Sequence, residues 1–236
     1  VTVVTDPSGL TVDLTYTGTG GTTYGPVSTP PTNAGSYTVT GVINDATFAG
    51  SATETLSISK ASAVVTINAA ELLTTFDGTS QLVSASTVPS GLTVEVTYDG
   101  GTTAPVNAGS YAIVATINDA NYEGSSSATQ VIDKANASVS LSDLSTVFDG
   151  TAQSVSATTV PSGLSVLFTY NGSSTTPVDA GSYSVVATID NQNYQGSTSG
   201  TFTIAKATAF VTLTDLSQVY DGLPKPAGAT TNPNGL

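Results

Sequence analysis

The sequence predicts an all-β chain of tandem sandwich modules in a linear array. Three observations carry this: four landmarks recur at a period near 72 residues, apolar and hydroxylic residues alternate with period two, and Gly and Pro punctuate the alternating runs.

The landmarks recur in fixed order. Phe76-Asp77-Gly78 returns as Phe148-Asp149-Gly150 and Tyr220-Asp221-Gly222. Pro7-Ser8-Gly9-Leu10 returns at 89–92 and 161–164, then as Pro233-Asn234-Gly235-Leu236. Asn33-Ala34-Gly35-Ser36-Tyr37 returns at 107–111 and, with Asp179, at 179–183; Lys-Ala returns at 60, 134 and 206. Lys60 to Lys134 spans 74 residues because two are added near Ala69-Ala70, and eight extra lie between Tyr16 and Asn33. With Lys-Ala as the boundary, the modules are 1–60 (lacking its beginning), 61–134, 135–206, and 207–236 (lacking its end).

Within the third module each strand follows from alternation. Ala137, Val139 and Leu141 define a first strand, and Val155 and Ala157 a second. Leu164, Val166, Phe168 and Tyr170 define a third; Tyr183, Val185, Ala187 and Ile189 a fourth; Phe202 and Ile204 the last. One apolar face and one hydroxylic face per strand suit two antiparallel sheets packed face to face. Asp149-Gly150 and Asn171-Gly172 supply turns, Pro161-Ser162-Gly163 separates the second and third strands, and Pro177 removes a ladder donor before the corner. The inward parity ends at Lys60, Lys134 and Lys206 and restarts three residues later at Ala63, Ala137 and Ala209, which leaves no room for a flexible spacer and points to a semi-rigid rod.

Asp179-Ala180-Gly181-Ser182-Tyr183 looks like the tyrosine corner of immunoglobulin-like sandwiches, repeated at Tyr37 and Tyr111, with Val39, Ile113 and Val185 where such domains place a cysteine. The Lys-Ala-x-Ala opening, the Tyr/Phe-Asp-Gly box, the Ser/Asn-Gly-Leu turn and the Asn-Ala-Gly-Ser-Tyr corner together resemble the mostly bacterial Ig-like domain of the MBG or YDG type, over the whole chain. The resemblance implies sandwich domains in arrays on large secreted, adhesin-like bacterial proteins, with no enzyme activity and no shared ligand site. Phe76 and Phe148 replace the box tyrosine, which removes only a hydroxyl.

Composition narrows the function. Seventeen Asp and Glu against four Lys give a net charge of −13, which disfavours nucleic acid as partner. No apolar run has the length of a membrane helix. The Thr-rich, Arg-free, acidic and cysteine-free composition suits the bacterial cell surface.

Without His or Cys, Ser-His-Asp and Cys-His catalysis are impossible, and the repeated acids Asp77, Asp149 and Asp221 read as turn aspartates. No enzyme is expected. No cofactor is expected either, with calcium the one candidate: Asp45, Asp119 and Asp190 lie in Asn/Asp pairs that recur after the corner strand. Lys60, Lys134 and Lys206 sit at strand ends, where a lysine snorkels, pairs with an acid of the adjoining module, or in some bacterial Ig-like fibres forms an isopeptide crosslink. Tyr24, on the inserted loop 17–31, is the candidate ligand contact; a tolerated insertion is the plainer reading. Asn136 and Asn171 fit the N-glycosylation pattern, which carries little meaning in a bacterial protein.

The leading reading is a structural stalk or filament segment of an extracellular bacterial surface protein or adhesin, whose partners are neighbouring modules. The second is an adhesion module that binds a host or cell-surface glycan or protein. A third is a fibre subunit in which residues 207–236 of one copy complete residues 1–60 of another.

Overall fold

Period-two sequences give period-two burial. The computed structural model describes residues 2–234, whose regular structure is nearly all β; Gly235 and Leu236, which close the last landmark, lie outside the described residues. The chain divides into two compact units, Val1–Asp133 and Lys134–Leu236. Among the described residues no helix is long and apolar enough to cross a membrane.

The first module contributes β1 (Val12–Thr19), β2 (Gly35–Ile43) and β3 (Ser51–Ile58), an antiparallel sheet in that order. The second contributes β4 (Ala61–Ser62), β5 (Val64–Ile67), a 3-10 turn (Ala69–Glu71), β6 (Leu73–Thr75), β7 (Ala85–Val88), β8 (Val94–Tyr98), β9 (Gly109–Ile117), β10 (Tyr122–Glu123) and β11 (Ser125–Asp133). The third repeats this with β12 (Ala135–Asn136), β13 (Ser138–Ser142), β14 (Ser145–Val147), β15 (Ser156–Val160), β16 (Val166–Tyr170), β17 (Gly181–Ile189), β18 (Tyr194–Gln195) and β19 (Ser197–Ala205). The fourth is the hairpin β20 (Phe210–Thr214) and β21 (Gly228–Asn232).

Each complete module is a sandwich of a four-stranded sheet, β6-β11-β9-β8 or β14-β19-β17-β16, and a two-stranded sheet, β5-β7 or β13-β15. The expectation of purely antiparallel sheets is corrected in one respect. β6 pairs in parallel with β11 and β14 with β19, and the two-residue strands β4 and β12 pair in parallel with β10 and β18. The entering segment starts in the small sheet and crosses to the large one. In module three the crossing turns at Asp143, whose φ of 56° is left-handed. In module two the added residues form the 3-10 turn instead, with the Asn68 side chain accepting from Ala70 N–H.

The middle strands carry the core. Ile113, Ala115 and Ile117 on β9, and Val185, Ala187 and Ile189 on β17, are buried, while Val114 and Val186 between them face outward. Asn171-Gly172 turns the chain back at the end of β16 with φ of 50° and 84°, the two left-handed residues that a tight two-residue turn requires, and closes the Tyr170–Ser173 bridge ahead of the loop to β17. In module three Phe202 fills the core between Val155, Tyr170, Val185 and Ile204. Module two places Gln130 at the same point, fully buried; its amide donates to the Glu71 and Gln81 carbonyls at 3.1 and 3.3 Å.

Two buried phenols tie the large sheet to the segment that leads into β7 or β15. The Tyr98 oxygen accepts from Val83 N–H at 2.8 Å, and that of Tyr170 from Val155 N–H at 3.2 Å. Tyr98→Phe strands a buried N–H, so a loss of about 1–3 kcal/mol is expected. A denaturant titration checks it: the midpoint falls and the slope stays unchanged.

In module four the same sequence pattern stands uncovered among the described residues. Val211 is 66% exposed, against 9% for its counterpart Val139.

Candidate functional site: the junction between modules

The Lys-Ala-x-Ala signature folds into a pinned joint. β3 ends at Ile58 and β4 begins at Ala61, so two residues separate the modules. Ala61 N–H donates to the Asn121 carbonyl and Ala63 N–H to that of Glu123, each at 2.8 Å. Lys60 Nζ donates to the Asp119 carbonyl at 2.7 Å. The Asn121 side chain reaches back to module one, accepting from Ala34 N–H at 2.8 Å and donating to Asn33 Oδ1 at 3.2 Å. The start of module three repeats the first part of this pattern: Ala135 and Ala137 donate to Asn193 and Gln195, and Lys134 Nζ to the Asn191 carbonyl at 2.7 Å. Both lysines thus meet a backbone carbonyl, neither the acidic side chain nor the carboxamide that the sequence leads one to consider. Lys206 lines a small groove with Phe148, Ala180, Ala209 and Pro233.

The acceptor loop is itself held by a side chain. Asp119 Oδ1 accepts from Asn121 and Tyr122 N–H, and Asn191 Oδ1 from Asn193 and Tyr194 N–H. Asp45 does the same for Thr47 and Phe48, whose hydrogen bonds, Thr47 N–H first, hold its carboxyl below the ordinary range. Asp45 and Asp119 therefore correspond to Asn191, while Asp190, whose N–H donates to Ser165, corresponds to Asn44 and Asn118. Two of these three calcium candidates, Asp45 and Asp119, thus already cap loops with their carboxylates. Among the described residues no group of three or more potential acidic, His or Cys ligands forms.

A glycine that sequence reasoning missed sits beside this loop. Gly124 and Gly196 follow Tyr-x, and a Cβ on either would collide with the carbonyl oxygen of Ala63 or Ala137 on the crossing segment. The repeated Tyr/Phe-x-Gly was the available signal.

The remaining repeated residues shape the module. The hydroxyls of Tyr37, Tyr111 and Tyr183 donate to the carbonyls of Asn33, Asn107 and Asp179 at 2.7–2.8 Å, which fixes the corner. Asp77 accepts from Thr79 N–H and Oγ1 and from Gln81; Asp149 accepts likewise from Thr151 and Gln153. Asp221 pairs with Lys225 and accepts from Leu223 N–H. The Thr79 and Thr151 hydroxyls first, then their N–H groups, lower the carboxyls of Asp77 and Asp149; Lys225 lowers that of Asp221. A carboxyl lowered on folding adds stability above its unfolded pKa, about 4, and loses it as pH falls through the lower folded value. The Asp77→Asn, Asp149→Asn double variant is therefore expected to lose less stability on acidification below about pH 4, read as melting temperature against pH.

Tyr24 turns toward its own module. Its hydroxyl donates to the Thr29 carbonyl at 2.8 Å and its ring meets Tyr37 edge-on at 5.6 Å.

The family model described as the MBG domain matches residues 1–62, 63–136, 137–208 and 209–236. No curated protein matches the chain.

Proposed function

On the premise that this chain belongs to the MBG domain family, we propose that it is a non-enzymatic structural segment of an extracellular bacterial surface protein, a stalk or filament that carries an adhesive part away from the cell. The observation that carries this reading is the joint at 59–63, where the connecting backbone is hydrogen-bonded into the next module and Lys60 ties to its loop. A chain built for enzymatic turnover has no need of such a joint; a chain that holds its modules in series does. Its partners are then its own neighbouring modules, with host or cell-surface glycan or protein contacts made elsewhere in the assembly.

The glycan- or protein-binding reading has less support, because Tyr24 is engaged with Thr29 and Tyr37. Completion of the first module by residues 207–236 of another copy is opposed by Glu54. It stands where β11 has Ala128 and β19 has Gly200, against which Leu141 and Leu144 pack. Their counterparts Leu213 and Leu216 would bury the Glu54 carboxylate without a partner, a cost of several kcal/mol by order of magnitude.

Antibodies raised against residues 61–206 test the stalk reading on intact producing cells. Surface labelling that external protease removes is expected. Antigen reached only after lysis would overturn the proposal, and saturable binding of the purified chain to a glycan array would move the assignment to the adhesion module.

A further inference from the structure

We propose that the parallel pairs β6–β11 and β14–β19 are mechanical clamps that load in shear when the chain is pulled by its ends. This deepens the stalk reading and rests on it for its biological setting alone.

The argument is one of chain direction. Module two is entered at Ala61 and left after Asp133, and β6 and β11 are the adjacent strands nearest those two ends in the large sheet. Tension draws β6 toward its N-terminus and β11 toward its C-terminus. Because the strands are parallel, these pulls oppose one another along a shared axis. Their hydrogen bonds then share the load and must fail together. An antiparallel pair of entering and leaving strands, pulled from the same end, would instead open one bond at a time.

The bonds are in place in both complete modules. Val131 N–H donates to the Leu72 carbonyl and Phe76 N–H to that of Asp133, each at 2.8 Å, at the two ends of the clamp. In module three Thr203 N–H donates to Leu144 at 3.0 Å and Phe148 N–H to Ala205 at 2.8 Å. Behind the pair, Ile132 in one module and Phe202 with Ile204 in the other are buried, which keeps water from that side of the strained bonds. The two-residue parallel pairs β4–β10 and β12–β18 take load first, and the small-sheet strands β5 and β13 next. Once they part, the clamp is the remaining tie between the entering and leaving ends.

The chain has no cysteine, so introduced pairs define unique pulling points. The full chain with a cysteine added at each end loads both clamps in shear. The Ser145→Cys, Thr201→Cys variant instead pulls β14 and β19 apart from the N-terminal end of their paired segment; both positions are exposed. Single-molecule force spectroscopy is expected to show end-loaded ruptures at several-fold higher force, each releasing roughly 240 Å of chain. Thr146→Pro, which removes the donor in the middle of β14, is expected to lower one of the two end-loaded ruptures and leave the other. Equal forces in the two pulling geometries would overturn the clamp. That comparison needs no clamp substitution, so misfolding of the proline variant does not blunt it. Surface labelling of cells bears on the stalk reading alone, so either proposal can fail without the other.

Discussion

Phe202→Ala is expected to cost module three about 3–5 kcal/mol, the range for truncating a fully buried Phe. Phe202 is 0% exposed and touches the clusters contributed by both sheets, with Leu141 and Leu144 on one side and Tyr170 at a ring separation of 6.1 Å. The hole cannot collapse, because β19 is held between β17 and β14. For a domain of this size the loss corresponds to a melting point lower by roughly 12 °C or more. Hydrogen exchange followed module by module is the direct check. Protection in β13–β19 is expected to fall while that in β5–β11 holds. Gln130→Ala in module two should cost less in apolar burial, yet it also strips donors from the Glu71 and Gln81 carbonyls, and the Gln130 Oε1 already lacks a partner. Wild-type module two is accordingly expected to unfold before module three.

Gly196→Ala is expected to be nearly as damaging, at about 2–4 kcal/mol, from overpacking plus the loss of one backbone hydrogen bond. The new methyl group would occupy the space of the Ala137 carbonyl oxygen and press on Ile189 Cδ1 at 3.2 Å. Backbone cannot yield as a flexible side chain can, so the crossing segment must lift and Ala137 N–H must leave Gln195. Gly50→Ala is the internal control. There the methyl group would meet only the Ile43 side chain, at 3.0 Å, because among the described residues no segment crosses beside Gly50. A Gly50→Ala melt within about 1 kcal/mol of wild type, beside a collapsed Gly196→Ala module, is the expected pair of results. Equal effects at both positions would refute the crossing-strand explanation.

Much of the architecture was legible because it is written locally. Alternation along 181–189 specifies a strand with Val185, Ala187 and Ile189 on one face whatever that strand pairs with. Asn171-Gly172 encodes its own tight turn, since Gly carries no steric penalty at positive φ and Asn little. The tyrosine corner closes over four residues, and the box aspartates over two to four. The strand limits shifted by a few residues. The second strand of module three, read at Val155 and Ala157, pairs over Ser156–Val160.

The less legible features are contacts across long sequence separations. Lys60 meets a carbonyl 59 residues away, and Lys134 one 57 residues away. Side-chain type gives no sign that a lysine will find a backbone oxygen rather than a carboxylate. The three-residue strands Leu73–Thr75 and Ser145–Val147 are too short for alternation to register, so the clamp left no periodic trace. Gln130 in place of Phe202 is visible in the sequence, but not that the 3-10 turn and Gln81 would supply its acceptors.

By itself the sequence determined the repeat, the strand faces, the turns and the corner, because each follows from backbone preference or hydrophobic period within a few residues. Tertiary structure alone decided which strands lie side by side, their parallel sense at the module edge, and the joint that pins one module to the next. Those depend on where one carbonyl passes another after both sheets have closed, and no short stretch of sequence encodes that meeting.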